Sequence, residues 1–253
     1  GKPYDGIVDG GGFTIKNLTI SGGSNIGFIG TASNGGTVVS NLKLDNVNIS
    51  GGKNVGAVIG QVTDGGKIDN CHILGGKVTG TGDHVGGLLG YSDYFGGVRN
   101  SSNAAAISGV SFVGGISGGA YGSNCVNTGT VTGTGNYVGG IYGSLGTDIG
   151  STSGNENYGA VTGKNYVGGV TGSGGQTNSY NEGNITGEKN VGGISGSFSL
   201  FEGTSDQCVN KGSVNGVENV GGICGTTGNR CHISGATNEG YVTGEQYVGG
   251  IAG

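Results

Sequence analysis

The chain has 253 residues, of which 66 are glycine and 1 is proline, and only 11% are charged. Its 11 Lys and Arg against 16 Asp and Glu leave a formal charge of −5, which argues against nucleic acid or an anionic membrane surface as the partner, since both need a basic face. No apolar run approaches the roughly 20 residues of a membrane span, and no signal-peptide pattern opens the chain. Methionine is absent even at position 1, so the chain is expected to be a processed product or an excised piece of a longer polypeptide, with other domains as neighbours. So much glycine would read as low complexity if it had no period. It has one.

In chain order, one phrase recurs as Ile26-Gly-Phe-Ile-Gly30, Val55-Gly-Ala-Val-Ile-Gly60, Val85-Gly-Gly-Leu-Leu-Gly90, Val113-Gly-Gly-Ile-Ser-Gly118, Val138-Gly-Gly-Ile-Tyr-Gly143, Val167-Gly-Gly-Val-Thr-Gly172, Val191-Gly-Gly-Ile-Ser-Gly196, Val220-Gly-Gly-Ile-Cys-Gly225 and Val248-Gly-Gly-Ile-Ala-Gly253. The copies begin about 28 residues apart, a period that means a repeat architecture. A second block precedes each copy. In the first three repeats it reads Ile15-Lys-Asn-Leu-Thr-Ile20, Leu44-Asp-Asn-Val-Asn-Ile49 and Ile68-Asp-Asn-Cys-His-Ile73. From the fourth repeat it becomes small-x-Asn-x-Gly/Ala-x-Val/Ile, as in Ser101 to Ile107 and Cys125 to Val131. The spacing of two is a strand period, and glycine at this density opposes helix by about 1 kcal/mol per residue.

A unit of two or three short strands cannot bury its own apolar face, whereas stacked units can. The expected fold is therefore all-β: a single-domain parallel β-helix, or β-solenoid, of about nine coils and about 40 Å in length at the usual strand spacing, right-handed by strand twist and crossover preference. Its core would hold the Val/Ile of the recurring phrase with Leu18, Ile20, Val47, Ile49, Ile73, Val131, Val161, Ile185, Val214 and Val242. Val and Ile lie three apart in Val-Gly-Gly-Ile, so a bulge or corner at the glycine pair must turn both inward. Asn103, Asn127, Asn157, Asn181, Asn210 and Asn238 hold one register in six successive coils and are expected to stack as a structural amide ladder. A second asparagine column is expected from Asn17, Asn46, Asn70, Asn100, Asn124 and Asn178.

These residues resemble a known family. Gly6 to Ile20, Ile26-Gly-Phe-Ile-Gly30 and the nine phrase copies look like GLUG-motif repeats, across essentially the whole chain. That family occurs in large bacterial surface and secreted proteins, and beside zinc peptidase domains that cleave immunoglobulin A. The resemblance implies an extracellular setting, secreted or on the bacterial cell surface, and assigns no activity to the repeat. The peptidase chemistry does not carry over: His72, His84 and His232 are followed by Ile, Val and Ile, so no His-Glu-x-x-His zinc helix exists.

The remaining chemistry is sparse. Cys71, Cys125 and Cys208 occupy the slot filled elsewhere by Leu18, Val47, Ser101, Ser179 and Ala236, and read as small buried hydrophobes. Cys224 and Cys231 are the pair that could staple a loop in an oxidising compartment. Neighbouring strand residues face opposite ways, so Cys71-His72 and Cys231-His232 do not suit one metal. Asp9, Asp64, Asp83, Asp93, Asp148 and Asp206 are scattered over different registers and single out no catalytic pair. The residue before each phrase forms a column of Asn25, Asn54, His84, Phe112, Tyr137, Tyr166, Asn190, Asn219 and Tyr247. Its rings either stack on one another across coils or, with Tyr91, Tyr94, Phe95, Phe198 and Phe201 from the side loops, offer a binding surface. The function expected is a non-enzymatic, adhesin-like segment without cofactor or metal, acting as a rigid spacer and interaction surface for a host or cell-surface protein or glycan. The alternative is a carbohydrate-binding or carbohydrate-cleaving β-helix, which needs a groove with paired carboxylates or an aromatic platform.

Overall fold

The computed structural model describes residues 2–93, 96–145, 152–198, 204–228 and 231–253. Every paired strand is parallel, and no helix occurs among the described residues. The chain winds as a β-solenoid of about 8 turns, with equivalent positions roughly 29 residues apart. Each coil contributes not two or three strands but up to five, because strands of two to five residues alternate with corners. In the second coil these are Thr37–Ser40, Lys43–Asp45, Val47–Gly51, Val55–Gly56 and Ile59–Val62. Strands at each position pair coil upon coil, giving five faces. The second and third faces are 9-stranded sheets and the fourth and fifth are 8-stranded. The first face is a 5-stranded and a 3-stranded sheet joined through Ser153, which bridges to Thr177 and accepts from the Asn124 amide.

Alternation within these short strands turns every second residue inward, as with Val47, Ile49 and Gly51 of Val47–Gly51. The third face lines the core with a column that includes Ile49, Val78, Ile107, Val131, Val161, Ile185 and Val214, all buried. A fully buried Val or Ile contributes about 1.5–3 kcal/mol. Leu18, Ile20 and Val242, in the terminal coils, are only half-buried because one side lacks a covering coil. The corner expected in Val-Gly-Gly-Ile is present. Val113–Gly114 ends the fourth face, Ser117–Gly119 opens the fifth, and Val113 and Ile116 are both fully buried.

The amide ladder is continuous. Asn103 Nδ2 donates to Asn127 Oδ1 at 2.9 Å, and the same bond follows from Asn127 to Asn157, Asn157 to Asn181, Asn181 to Asn210 and Asn210 to Asn238 at 2.7 to 2.9 Å. Each amide also donates to the carbonyl two residues on, for example Asn127 to Gly129 at 2.8 Å. Register places Ile15, Leu44 and Ile73 in this same inward column. The interior of the second face therefore changes from aliphatic to amide at the fourth coil.

The ladder explains a glycine. A Cβ on Gly115 would meet the carbonyl oxygen of Gly140 and the amide carbon of Asn127, and one on Gly140 would meet Gly169 and Asn157 in the same way. The amide packs where a methyl would go. In the second coil, where the column of the next coil holds Ile73, the equivalent residue is Ala57.

The second asparagine column is two separate columns. Asn41, Asn70, Asn100, Asn124 and Asn178 turn the corner after the first face, whereas Asn17 and Asn46 turn the corner after the second. All seven have φ between 47° and 56°, the left-handed conformation that asparagine tolerates. Asn70 donates to Asn41 Oδ1 and Asn46 to Asn17 Oδ1, each at 2.8 Å. The cysteine slot shifts likewise. Cys71, Ser101, Cys125, Ser179, Cys208 and Ala236 share the corner after the first face, with Asn155 among them, while Leu18 and Val47 follow the next corner. Asn155 Oδ1 accepts from the Cys125 backbone amide at 3.2 Å.

Candidate functional site

The residue ahead of each Val-Gly phrase is non-glycine with φ between 51° and 60° wherever it is Asn25, Asn54, His84, Phe112, Tyr137, Tyr166, Asn190, Asn219 or Tyr247. For aromatic residues this conformation is costly. Stacking across coils offsets the cost. His84 lies on Phe112 at 4.7 Å between centroids, Phe112 on Tyr137 at 4.9 Å and Tyr137 on Tyr166 at 4.8 Å, with planes within 14° of parallel. Tyr91 leans on His84 at 4.4 Å and 50°. The ring faces thus cover one another, and their edges meet solvent. Tyr247 stands apart, beyond an Asn190–Asn219 amide pair bonded at 2.8 Å, and is 69% exposed.

Of the side-loop residues, Phe198 is only 4% exposed, so it offers no binding surface: it is folded inward where it was expected outward. Tyr94, Phe95 and Phe201 lie outside the described residues. The cysteines are all free thiols, four buried and Cys231 half-buried. Cys224 and Cys231 are thus unbridged in this structure. Burial pushes Cys71, Cys125 and Cys208 up to about 11 and Cys224 up to about 12. Such thiols are neutral, poor nucleophiles and poor ligands at ordinary pH. Cys71 points inward and His72 outward, where its ring nitrogens meet Ser102 Oγ at 2.9 Å and Asn70 Oδ1 at 3.0 Å. No group of three or more His, Cys, Asp or Glu comes together among the described residues.

Two assemblies of polar groups emerge that the sequence did not bring together, the second built partly from the column of Asn25, Asn54 and His84 and from Tyr91. On the outer side of the second face, Tyr158 donates to Glu156 at 2.8 Å and Tyr180 donates to Glu182 at 2.7 Å. Glu156 pairs in register with Tyr180, and the two rings are 5.7 Å apart. The hydrogen bond to Glu182 pushes Tyr180 up to about 12. The Lys211 ammonium lies 5.7 Å from the Tyr180 ring and 3.8 Å from Glu239. The available signal was the alternation Glu-x-Tyr in one coil against Tyr-x-Glu in the next.

The second assembly is a groove of about 490 Å³ along the first three coils, lined by Ser24, Asn25, Lys53, Asn54, Gln61, Asp83, His84 and Tyr91. It opens where the amide part of the corner column gives way to rings. Asn54 Nδ2 donates to Asn25 Oδ1 at 2.9 Å and to Gln61 Oε1 at 3.4 Å, and Gln61 Nε2 donates to Asp93 Oδ2 at 3.3 Å. Burial holds His84 below its ordinary value, so the ring is neutral at pH 7.

The chain matches no family model and no curated protein. Among solved structures it is similar to the crystal structure of a protein from Bacteroides ovatus described as a "putative immunoglobulin A1 protease". The match has a TM-score of 0.54 at 22% identity and covers 91% of this chain and 68% of that one. At this identity the likeness shows a shared fold. It agrees with the β-solenoid expected from the GLUG-like repeats.

Proposed function

We propose that this chain is a non-enzymatic, extracellular segment of a bacterial surface protein, adhesin-like, that acts as a rigid spacer and displays its side-chain columns to a partner. The observation that carries the reading is the unbroken pairing of the 9-stranded second and third faces from one end of the solenoid to the other. Each inner coil is buried by its neighbours, and the interior holds ladders of side chains. Such a stack is a one-dimensional body whose side faces are free for recognition. Length variation supports the display role. It is largest at one corner, between the fifth and first faces, where Ala120 alone links Ser117–Gly119 to Tyr121–Ser123 while residues 63–66 link Ile59–Val62 to Lys67–Asp69. A surface setting rests on the resemblance of the repeats.

The test is a binding and turnover experiment with the intact chain. Fluorescently labelled protein should decorate host epithelial cells or their isolated surface glycoproteins, and should leave peptide and glycan substrates uncleaved. Absence of binding would overturn the display role, and turnover by the purified chain would overturn the non-enzymatic reading. The Glu156–Tyr158 and Tyr180–Glu182 pairs give the carbohydrate-cleaving alternative its best location, so Glu156→Gln is the control for any cleavage found.

A further inference from the structure

We propose that the groove across the first three coils is a binding site for a neutral oligosaccharide. The inference stands apart from the spacer reading, since a rod without this site remains a rod.

The argument starts from hydrogen-bond directions. Part of the amide hydrogen-bonding capacity at the groove is already committed. Asn25 donates to Thr31 Oγ1 at 3.2 Å, Asn54 to Asn25 and Gln61, and Gln61 to Asp93. What the relay leaves at the groove is a mixed set: the Asn54 amide oxygen and the Asp83 carboxylate to accept, and a second N–H on each of Asn25 and Gln61 to donate. Where two amides follow one another in the corner column, the earlier oxygen receives the later donor: Asn25 receives Asn54, and Asn190 receives Asn219. At Asn54 the next coil supplies the His84 ring in place of an amide, as Tyr247 does after Asn219. Asn54 is nevertheless only 8% exposed. A partly buried acceptor beside a carboxylate and amide N–H groups suits a ligand rich in hydroxyls, which both donate and accept.

The ring composition of the wall points the same way. Tyr91, which leans on the His84 ring at 50°, gives one side of the groove an aromatic surface. The C–H faces of a sugar pack against such a surface while its hydroxyls reach the polar side. Lys53 and Asp83 balance one another in the lining, with Asp93 behind Gln61, so the groove carries no excess positive charge to hold an anion. The volume of about 490 Å³ falls in the usual range of small-ligand sites.

The test uses the whole chain on an array of neutral and acidic oligosaccharides, followed by NMR titration of the best neutral glycan. The expected result is binding of a neutral glycan, with Asp83→Ala and Tyr91→Ala each weakening it at least tenfold. Tyr158→Ala, on another face, should leave it within twofold. Circular dichroism and the unfolding midpoint of each variant establish that it is folded. A variant that fails to fold is replaced by Gln61→Ala, which should also weaken binding at least tenfold. Overturning results are no neutral glycan bound by the wild type, preference for acidic glycans, or binding that survives these groove substitutions in folded protein.

Discussion

Asn157 accepts the side-chain amide of Asn127 at 2.9 Å and passes its own to Asn181 at 2.8 Å. It is fully buried, so both neighbours depend on it for partners that water cannot replace. Asn157→Ala should cost about 2–4 kcal/mol by leaving a donor and an acceptor unmet and a void beside Gly140. Urea denaturation measures it. A loss under about 0.5 kcal/mol would mean that the ladder is not structural.

Gly140→Ala should be as damaging as losing the asparagine, since its methyl would enter the space of the Asn157 amide and the Gly169 carbonyl. The reverse change at the equivalent position of the second coil, Ala57→Gly, should cost only about 1 kcal/mol, chiefly backbone entropy. Thermal melting of the two variants side by side tests whether amide packing explains the glycine. Equal effects would refute it.

The buried thiols make the fold alkali-sensitive. Below about pH 8 they are protonated in both folded and unfolded chains, and their contribution is constant. From about pH 8 up to the folded values of about 11 for Cys125 and about 12 for Cys224, the unfolded chain loses protons that the folded chain keeps. Stability therefore falls with rising pH across that window. The melting temperature should drop faster from pH 9 to 11 in wild type than in Cys125→Ser, whose replacement already occupies this slot as Ser101 and Ser179. Identical pH slopes in the two proteins would contradict the assignment.

At Tyr137, φ is 60° and rings stack on both sides. Tyr137→Asn keeps a residue suited to that backbone and loses two stacking contacts, about 1 kcal/mol together. Tyr137→Val loses the same contacts and forces a β-branched side chain into the left-handed region, so it should cost about 2–3 kcal/mol. Equilibrium unfolding of both variants separates backbone strain from stacking. If Val were the milder change, the strain argument would fail.

The fifth face offers a matched pair of hydroxyls. Ser117 Oγ is buried without a partner, whereas Thr171 Oγ1 donates to the Ser173 carbonyl at 3.0 Å. Ser117→Ala should be neutral or stabilising by up to about 1 kcal/mol, and Thr171→Ala should destabilise by about 1–2 kcal/mol. Calorimetric melting decides it, and the opposite order would show that Ser117 is solvated.

The coil period, the inward Val and Ile columns and the amide ladder were legible in the sequence because each recurs in register. Other features were not. Ile15-Lys-Asn17 and Ile68-Asp-Asn70 read alike but turn different corners, since any left-handed corner beside a buried aliphatic selects the same short phrase. Five faces were hidden because strands of two residues leave no alternation to count. The Tyr158–Glu156 and Tyr180–Glu182 pairs were missed for another reason: they meet across coils, where only register shows which outward residues are neighbours. The groove depends on a change of residue type within one column, from Asn54 to His84, which a search for sameness passes over.

The ladder from Asn103 to Asn238 has a direction as well as a length. One hydrogen of each amide points toward later coils and each oxygen toward earlier ones. The outer amide columns run the other way: Asn46 donates to Asn17, Asn54 to Asn25, Asn70 to Asn41, Asn124 to Asn100 and Asn219 to Asn190, each toward an earlier coil. Inner and outer amide rows are thus antiparallel, and their group dipoles oppose one another along the axis. The rod carries its polarity in its strands and not in a net axial field.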